Sequence, residues 1–311
     1  MEEPFTDHDQ VPVAGGRLTV ARAGPEIREA DHVVLALHGI TASHMAWRAV
    51  ARGLITDGAT CVVAPDLRGR GASGHLPGPY GSAAHVADAL EVLDHLGAPP
   101  VLLAGHSMGA WVAARFAAEH PERVSDLVLV DGGLPLPVPS DKDPDEVLAS
   151  TLGPALERLG QTYATRGAYV ALWRGHPAFA HAWNEDVEAY VNYDLEPAGD
   201  GPAPEGVRSV VSPDAVRTDG RELMMDEATR EAVHRVRAPI RLLRAPRGLL
   251  DDDRPLIPLE VLQDFELARP DAAVEEVAGT NHYTILLGDG PGPARVVAAL
   301  RRDHRHGGPS T

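Results

Sequence analysis

Cysteine is nearly absent: Cys61 stands alone among 311 residues. A single thiol forms no disulfide within the chain and builds no cysteine-rich metal site. In the run Cys61-Val62-Val63-Ala64 it is expected to be a small buried strand residue. Basic charge is also scarce, with 28 Lys and Arg against 45 Asp and Glu and a formal net charge of −17. So acidic a surface repels phosphate backbones and anionic lipid, which argues against nucleic acid and membrane surfaces as partners. Arg301, Arg302 and Arg305 form a short basic cluster near the end of the chain, expected to be a solvated tail. No apolar stretch reaches the roughly 18 residues of a transmembrane helix. The start, Met1-Glu2-Glu3-Pro4, lacks the basic and apolar regions of a signal peptide, so a cytoplasmic protein is expected. Neither H-x-x-x-H nor H-E-x-x-H occurs and no nucleotide-binding glycine loop is expected, so the reading calls for no metal and no cofactor.

What is present is an alternation of short apolar runs with longer helical patterns, the mark of an α/β architecture with a mainly parallel sheet flanked by helices. Val33–Leu37, Cys61–Ala64, Val101–Ala104, Leu127–Val130 and Ile240–Leu243 read as buried strands, and Ala273–Val277 alternates as an edge strand does. Helices are expected over 83–96, 108–118 and 293–301. In such sheets ligands bind along the rim at the carboxyl ends of the strands, so the residues just after each strand carry the functional argument. The alternation stops over 132–238, which shows helical patterns and no convincing buried strand. This segment holds seven of the 14 aromatics: Tyr163, Tyr169, Trp173, Phe179, Trp183, Tyr190 and Tyr193. The chain therefore reads as a core of 1–131 and 239–311 with a helical cap, 132–238, inserted before the last core strands. The cap aromatics are expected either to form its core or to line an apolar pocket, with Trp173, Trp183, Tyr190 and Met224 as the substrate-binding candidates.

Gly105-His106-Ser107-Met108-Gly109 matches G-x-S-x-G between a buried strand and a helical pattern. A strand turning sharply into a helix forces the middle residue into strained backbone geometry, and glycines on either side let the neighbouring backbone pass. Ser107 would then sit at a helix N-terminus, where N–H groups favour a developing anion. At this point the chain resembles the α/β-hydrolase family. His38-Gly39-Ile40-Thr41 is similar to that family's oxyanion loop, which implies an oxyanion hole made by the backbone N–H groups of Ile40 and Met108. Asp66-Leu67-Arg68-Gly69-Arg70-Gly71-Ala72-Ser73-Gly74 is similar to a mostly structural loop of the family. Asn281-His282-Tyr283 resembles its histidine loop, which implies His282 as the general base.

A third group must hold the imidazole in the right tautomer. The resemblance implies an acid after the strand that follows the cap, but there the chain reads Leu242-Leu243-Arg244-Ala245-Pro246-Arg247-Gly248, with glycine at the expected position. Asp131, one residue past the Leu127–Val130 strand, is the favoured replacement; Asp251, Asp252 and Asp253 are the alternative. A serine, a histidine and an acid with an oxyanion hole suit acyl transfer to water. The expected function is hydrolysis of a carboxylic ester or lactone of a small hydrophobic molecule. Hydrolysis of a C–C bond in a diketone-like compound, or ligand binding on a hydrolase scaffold, are the alternatives.

Overall fold

The computed structural model describes residues 2–139, 141–199 and 206–301; Arg302 and Arg305 of the expected basic tail lie outside them. The chain begins with an antiparallel hairpin, β1 (Asp7–Val13) and β2 (Gly16–Ala23), which the apolar-run pattern did not anticipate. Next come β3 (His32–Leu37), α1 (Arg48–Leu54), β4 (Thr60–Pro65), α2 (Ser82–His95), β5 (Val101–His106), α3 (Met108–Glu119) and β6 (Val124–Val130). There the chain leaves the sheet through α4 (Pro144–Leu152), α5 (Pro154–Glu157), β7 (Thr162–Tyr163), α6 (Arg166–Arg174) and α7 (Glu185–Tyr193). It continues through β8 (Leu195–Pro197), β9 (Val207–Ser209), α8 (Pro213–Met225) and α9 (Glu227–Arg230). The core resumes with β10 (Ile240–Arg244), α10 (Leu259–Ala268), β11 (Ala273–Glu276) and α11 (Pro291–Leu300).

The main sheet has eight strands in the order β1-β2-β4-β3-β5-β6-β10-β11. From β4 to β11 every pairing is parallel, while β1 and β2 add an antiparallel margin. Parallel strands covered on both faces must be apolar on both, which is why β4 and β5 are buried along their whole lengths. One apolar cluster fills each face of the sheet; Leu35, Leu103 and Leu129 belong to one, and Val34, Leu102 and Val128 to the other. The alternate residues of each strand thus serve opposite layers.

The segment between β6 and β10 departs from the expected all-helical insert. It carries its own three-stranded antiparallel sheet, β7-β9-β8. Strands of two and three residues are too short to print a period on the sequence. Its helices are conventionally capped: the Asn184 side chain accepts from Val187 N–H at the start of α7. Ser212 accepts from Ala215 N–H at α8, where Pro213 takes the first helical position. Among the described residues no helix is long and apolar enough to cross a membrane.

Candidate active site

Ser107 occupies the junction of β5 and α3 at φ 53° and ψ −127°, a region that residues with a Cβ rarely enter. The local sequence makes this corner possible. A Cβ on Gly105 would stand 2.2 Å from the Gly109 carbonyl oxygen, and one on Gly109 would stand 2.2 Å from the Leu37 carbonyl oxygen. Both positions must therefore lack a side chain for helix, strand and neighbouring strand to meet. The Ser107 N–H is consumed by the Val130 carbonyl at 3.0 Å. The next amide, Met108 N–H, and that of Ile40 have no protein acceptor among the described residues.

His282 lies beside this corner. Ser107 Oγ is 3.0 Å from its Nε2, and Asp131 Oδ2 is 2.7 Å from its Nδ1. An ionised carboxylate only accepts, so Nδ1–H donates to Asp131 and Nε2 is left to accept the serine hydroxyl. Asp131 is fully buried at the end of β6, with positive φ 45°, and its other oxygen accepts the Ala245 N–H at 3.0 Å. The histidine loop is fastened at several points. His106 Nε2–H donates to the His282 carbonyl at 2.9 Å, and the two rings lie 4.8 Å apart, tilted by 32°. Burial holds His106 well below an ordinary histidine pKa, so it serves as a neutral strut. Asn281 Oδ1 accepts from Tyr283 and Thr284 N–H, while its Nδ2 donates to Ala178 O and Asp251 Oδ1.

The aspartate run is placed elsewhere. Asp251 reaches Asn281 and Arg247, Asp252 pairs with Arg254, and Asp253 pairs with Arg247. The structure thus brings Ser107, His282 and Asp131 together and leaves Asp251, Asp252 and Asp253 on the loop after β10.

Two cavities meet at Ser107, and Ile40 also borders both. Tyr190 is on the wall of one and Met224 on the wall of the other; Trp173 and Trp183 line neither. Trp173 is buried against Phe179, Tyr190 and Tyr283, under the Arg158 guanidinium 5.1 Å from its ring. Trp183 is half-buried, donates to Glu188 and lies under Arg174. Large rings bury most area by packing on one another, so these two belong to the insert's core and the cavity wall is left largely to aliphatic residues.

Three residues support the site from behind; His38, beside the candidate oxyanion loop, is readable from the sequence as a supporting residue, while motif reading passes over Arg70 and Arg158. His38 Nε2 accepts the Leu67 N–H at 2.9 Å, so its Nδ1–H donates to the Gly39 carbonyl at 2.8 Å. That carbonyl belongs to the same peptide unit as the Ile40 N–H, so His38 sets the direction of that amide. Burial depresses its pKa to about 3 and keeps it neutral. Arg70, fully buried, donates from Nε to the Ile40 carbonyl at 2.9 Å and pairs with Asp219 of α8 at 2.5 Å. Arg158 donates to the Thr41 carbonyl at 3.2 Å and pairs with Asp194. A charged residue inside an otherwise glycine-rich strand-end loop is the signal that could have marked Arg70.

Asp66 plays the structural part expected of its loop. Burial alone would raise its pKa, but His44 outweighs that and, with His38, draws it down to about 2; Ala72 N–H and the Tyr193 hydroxyl of α7 also donate to it. The loop Gly69-Arg70-Gly71-Ala72-Ser73-Gly74 does spell G-x-G-x-x-G. It closes on protein instead of a phosphate: Gly71 has φ 50°, and a Cβ there would meet the Asp66 carboxyl at 2.4 Å. Among the described residues no group of His, Cys, Asp and Glu is placed to hold a metal ion.

A family model described as alpha/beta hydrolase fold matches residues 32–289. Lipase LipV of Mycobacterium tuberculosis is 36% identical over 119 residues, 38% of this chain and 43% of that protein. Epoxide hydrolase 2 of Siraitia grosvenorii is 36% identical over 124 residues, 39% of this chain and 37% of that one. The chain therefore matches less than half the length of these curated relatives. Among solved structures, a thioesterase domain from the curacin biosynthetic pathway superposes with TM-score 0.72 at 24% identity, covering 94% of this chain and 98% of that one. E-2-(Acetamidomethylene)succinate hydrolase superposes with TM-score 0.74 at 21% identity, covering 94% and 97%. At such identities the two structures bear on the fold alone.

Proposed function

The chain belongs to the α/β-hydrolase fold family, and on that premise we propose that it is a serine hydrolase cleaving a carboxylic ester or lactone of a small hydrophobic molecule. The observation that carries this reading is the chain of contacts Ser107 Oγ to His282 Nε2 at 3.0 Å and His282 Nδ1 to Asp131 Oδ2 at 2.7 Å. In the proposed reaction His282 takes the Ser107 proton as Oγ attacks the carbonyl carbon. Charge on the carbonyl oxygen is received by the N–H groups of Ile40 and Met108. His282 then protonates the leaving alcohol, and a water activated by the same imidazole releases the acid. Each oxyanion donor would contribute about 3–4 kcal/mol in the transition state.

Serine at the elbow argues against epoxide opening, despite the similarity to an epoxide hydrolase. Attack on an epoxide would leave an alkyl ether on Ser107, with no carbonyl for water to attack. The reading needs no metal, no cofactor and no nucleic-acid or membrane partner, and it suits a cytoplasmic enzyme.

The test is labelling with a fluorophosphonate together with pH-stat assay of ethyl esters. Labelling of Ser107 with ester turnover is expected, and both are expected to vanish in Ser107→Ala. Absence of labelling in the native protein would overturn the triad; labelling without turnover of any ester or lactone would overturn the substrate class.

A further inference from the structure

The two cavities that meet at Ser107 differ in size, wall chemistry and in which part of the site they touch. The larger has a volume of about 160 Å³. Trp111, Leu136, Val147, Leu148, Leu223 and Met224 lie along it, and no charged side chain does. Both candidate oxyanion residues, Ile40 and Met108, border it, and His282 does not. The smaller has a volume of about 30 Å³ and is bordered by His282, Tyr190 and Tyr283. Leu152 of α4 faces both chambers, as do Ile40 and Ser107, so these three form the partition.

Proton delivery decides which half of an ester enters which chamber. The leaving oxygen must lie beside His282 Nε2, so the alcohol half occupies the chamber that His282 borders. The acyl half extends the other way, past the oxyanion residues. Size then sets limits on each half. An apolar cavity of about 150 Å³ takes up a benzene-sized guest, six carbons, and one water occupies roughly 10–15 Å³ on this measure. The larger chamber therefore holds about six carbons and the smaller about two or three heavy atoms.

We propose that the substrate is an ester joining an uncharged aliphatic acyl group of about five to eight carbons to an alcohol of one to three carbons. This rests on the ester-hydrolase reading above and specifies it. The acyl chain lies between α4 and α8. These helices meet closely because residue 220 is glycine: a Cβ there would stand 2.5 Å from Leu148 Cδ1. Leu148 and Leu223 thereby become residues that measure chain length. Each methylene that enters an apolar wall from water raises kcat/KM by about fourfold until the chamber is full.

The experiment is a pH-stat series of ethyl esters from acetate to dodecanoate, run on the native chain and on Leu148→Ala and Leu223→Trp. Native kcat/KM is expected to climb about fourfold per methylene, peak near hexanoate and fall beyond octanoate. Leu148→Ala, which opens the wall, is expected to move the peak two or three carbons longer. Leu223→Trp, at a half-buried position, is expected to move it shorter. Among hexanoates, the benzyl ester is expected to be at least tenfold poorer than the ethyl. Ester turnover that is fastest on acetate, or a peak that neither variant moves, overturns this inference and leaves ester hydrolysis standing. Failure on every ester together with failure of fluorophosphonate labelling overturns the ester-hydrolase reading, and this inference with it.

Discussion

His282 and Asp131 are joined by a 2.7 Å hydrogen bond that spans 151 residues of chain, from the end of β6 to the loop after β11. Asp131 is fully buried and its second oxygen is held by the Ala245 amide, so the carboxylate has one orientation. In the proposed mechanism it is the third triad member, although it precedes the insert.

Asp131→Asn tests that role directly. An amide in place of the carboxylate presents a donor to Nδ1, favours the wrong tautomer and leaves the serine without a base. kcat is expected to fall about 10⁴-fold with little change in KM. Asp251→Asn touches His282 only through Asn281 and is expected to lose less than about tenfold. Steady-state kinetics on an ethyl ester ranks the two; the reverse ranking would move the acid to the loop after β10.

Much of this arrangement is legible in the sequence. The strands β3 to β6 and β10 declare themselves because parallel strands buried on both faces read as unbroken apolar runs. Ser107 stands out because it follows such a strand in a recognisable loop, His282 because it follows the alternating last strand and a glycine-containing loop, and Gly248 shows that the usual acid is missing. The hairpin escaped notice because β1 is Asp7-His8-Asp9-Gln10-Val11-Pro12-Val13, a polar edge strand whose Pro12 needs no ladder partner on its solvent side. The chamber walls were illegible for another reason. They draw on α4, α8 and the loop around Leu256, and only the packing of the insert on the core assembles them.

Ser107 is held in strained geometry, and relieving the strain is expected to stabilise the protein. A non-glycine residue in this region costs about 1–3 kcal/mol. Ser107→Gly removes that cost, partly offset by about 0.4–1 kcal/mol of extra unfolded-state entropy. Ser107→Ala keeps both the Cβ and the strain. Thermal unfolding is expected to place Ser107→Gly a few degrees above Ser107→Ala, with both variants inactive. Equal Tm values would mean the corner carries no strain.

His38 makes the protein acid-sensitive. In the folded state burial lowers its pKa to about 3, whereas the unfolded chain titrates near 6.5. Above 6.5 both states are neutral and the full stability is present. As the pH falls toward 3 the unfolded state takes up a proton that the folded state refuses, so stability is lost through that window. The contribution at pH 5 is about 2 kcal/mol. Gln at position 38 keeps an acceptor for Leu67 N–H and a donor for Gly39 O but does not titrate. Urea unfolding at pH 7 and pH 5 is expected to show a smaller loss for His38→Gln than for the native chain. Parallel losses would contradict a neutral, buried His38.

Arg70 links the insert to the candidate oxyanion loop, and the link is testable apart from folding. Its guanidinium holds the Ile40 carbonyl, lies 3.9 Å from the Met108 sulfur and pairs with Asp219, so one buried cation touches both candidate oxyanion residues and helix α8. Burial works against ionisation of Asp219, but Arg70 and then His85 hold its carboxyl well below the usual range, so the pair stays charged. Removing one partner strands the other: Asp219→Asn leaves a buried guanidinium uncompensated and is expected to cost about 3–5 kcal/mol of stability. Replacing both, as in Arg70→Met/Asp219→Leu, removes the buried charges together and is expected to recover part of the lost Tm, the rest staying lost because Gly81 N–H and His85 Nε2 also use the Asp219 carboxylate as acceptor. It leaves the Ile40 carbonyl without its donor, and an oxyanion loop free to shift should lower kcat about 10- to 100-fold while KM stays within about threefold. Thermal unfolding and steady-state kinetics on the same three proteins separate the roles. If kcat recovers in the double variant along with Tm, Arg70 serves only to hold the insert in place; if Tm alone recovers, Arg70 positions the amide that receives the developing charge.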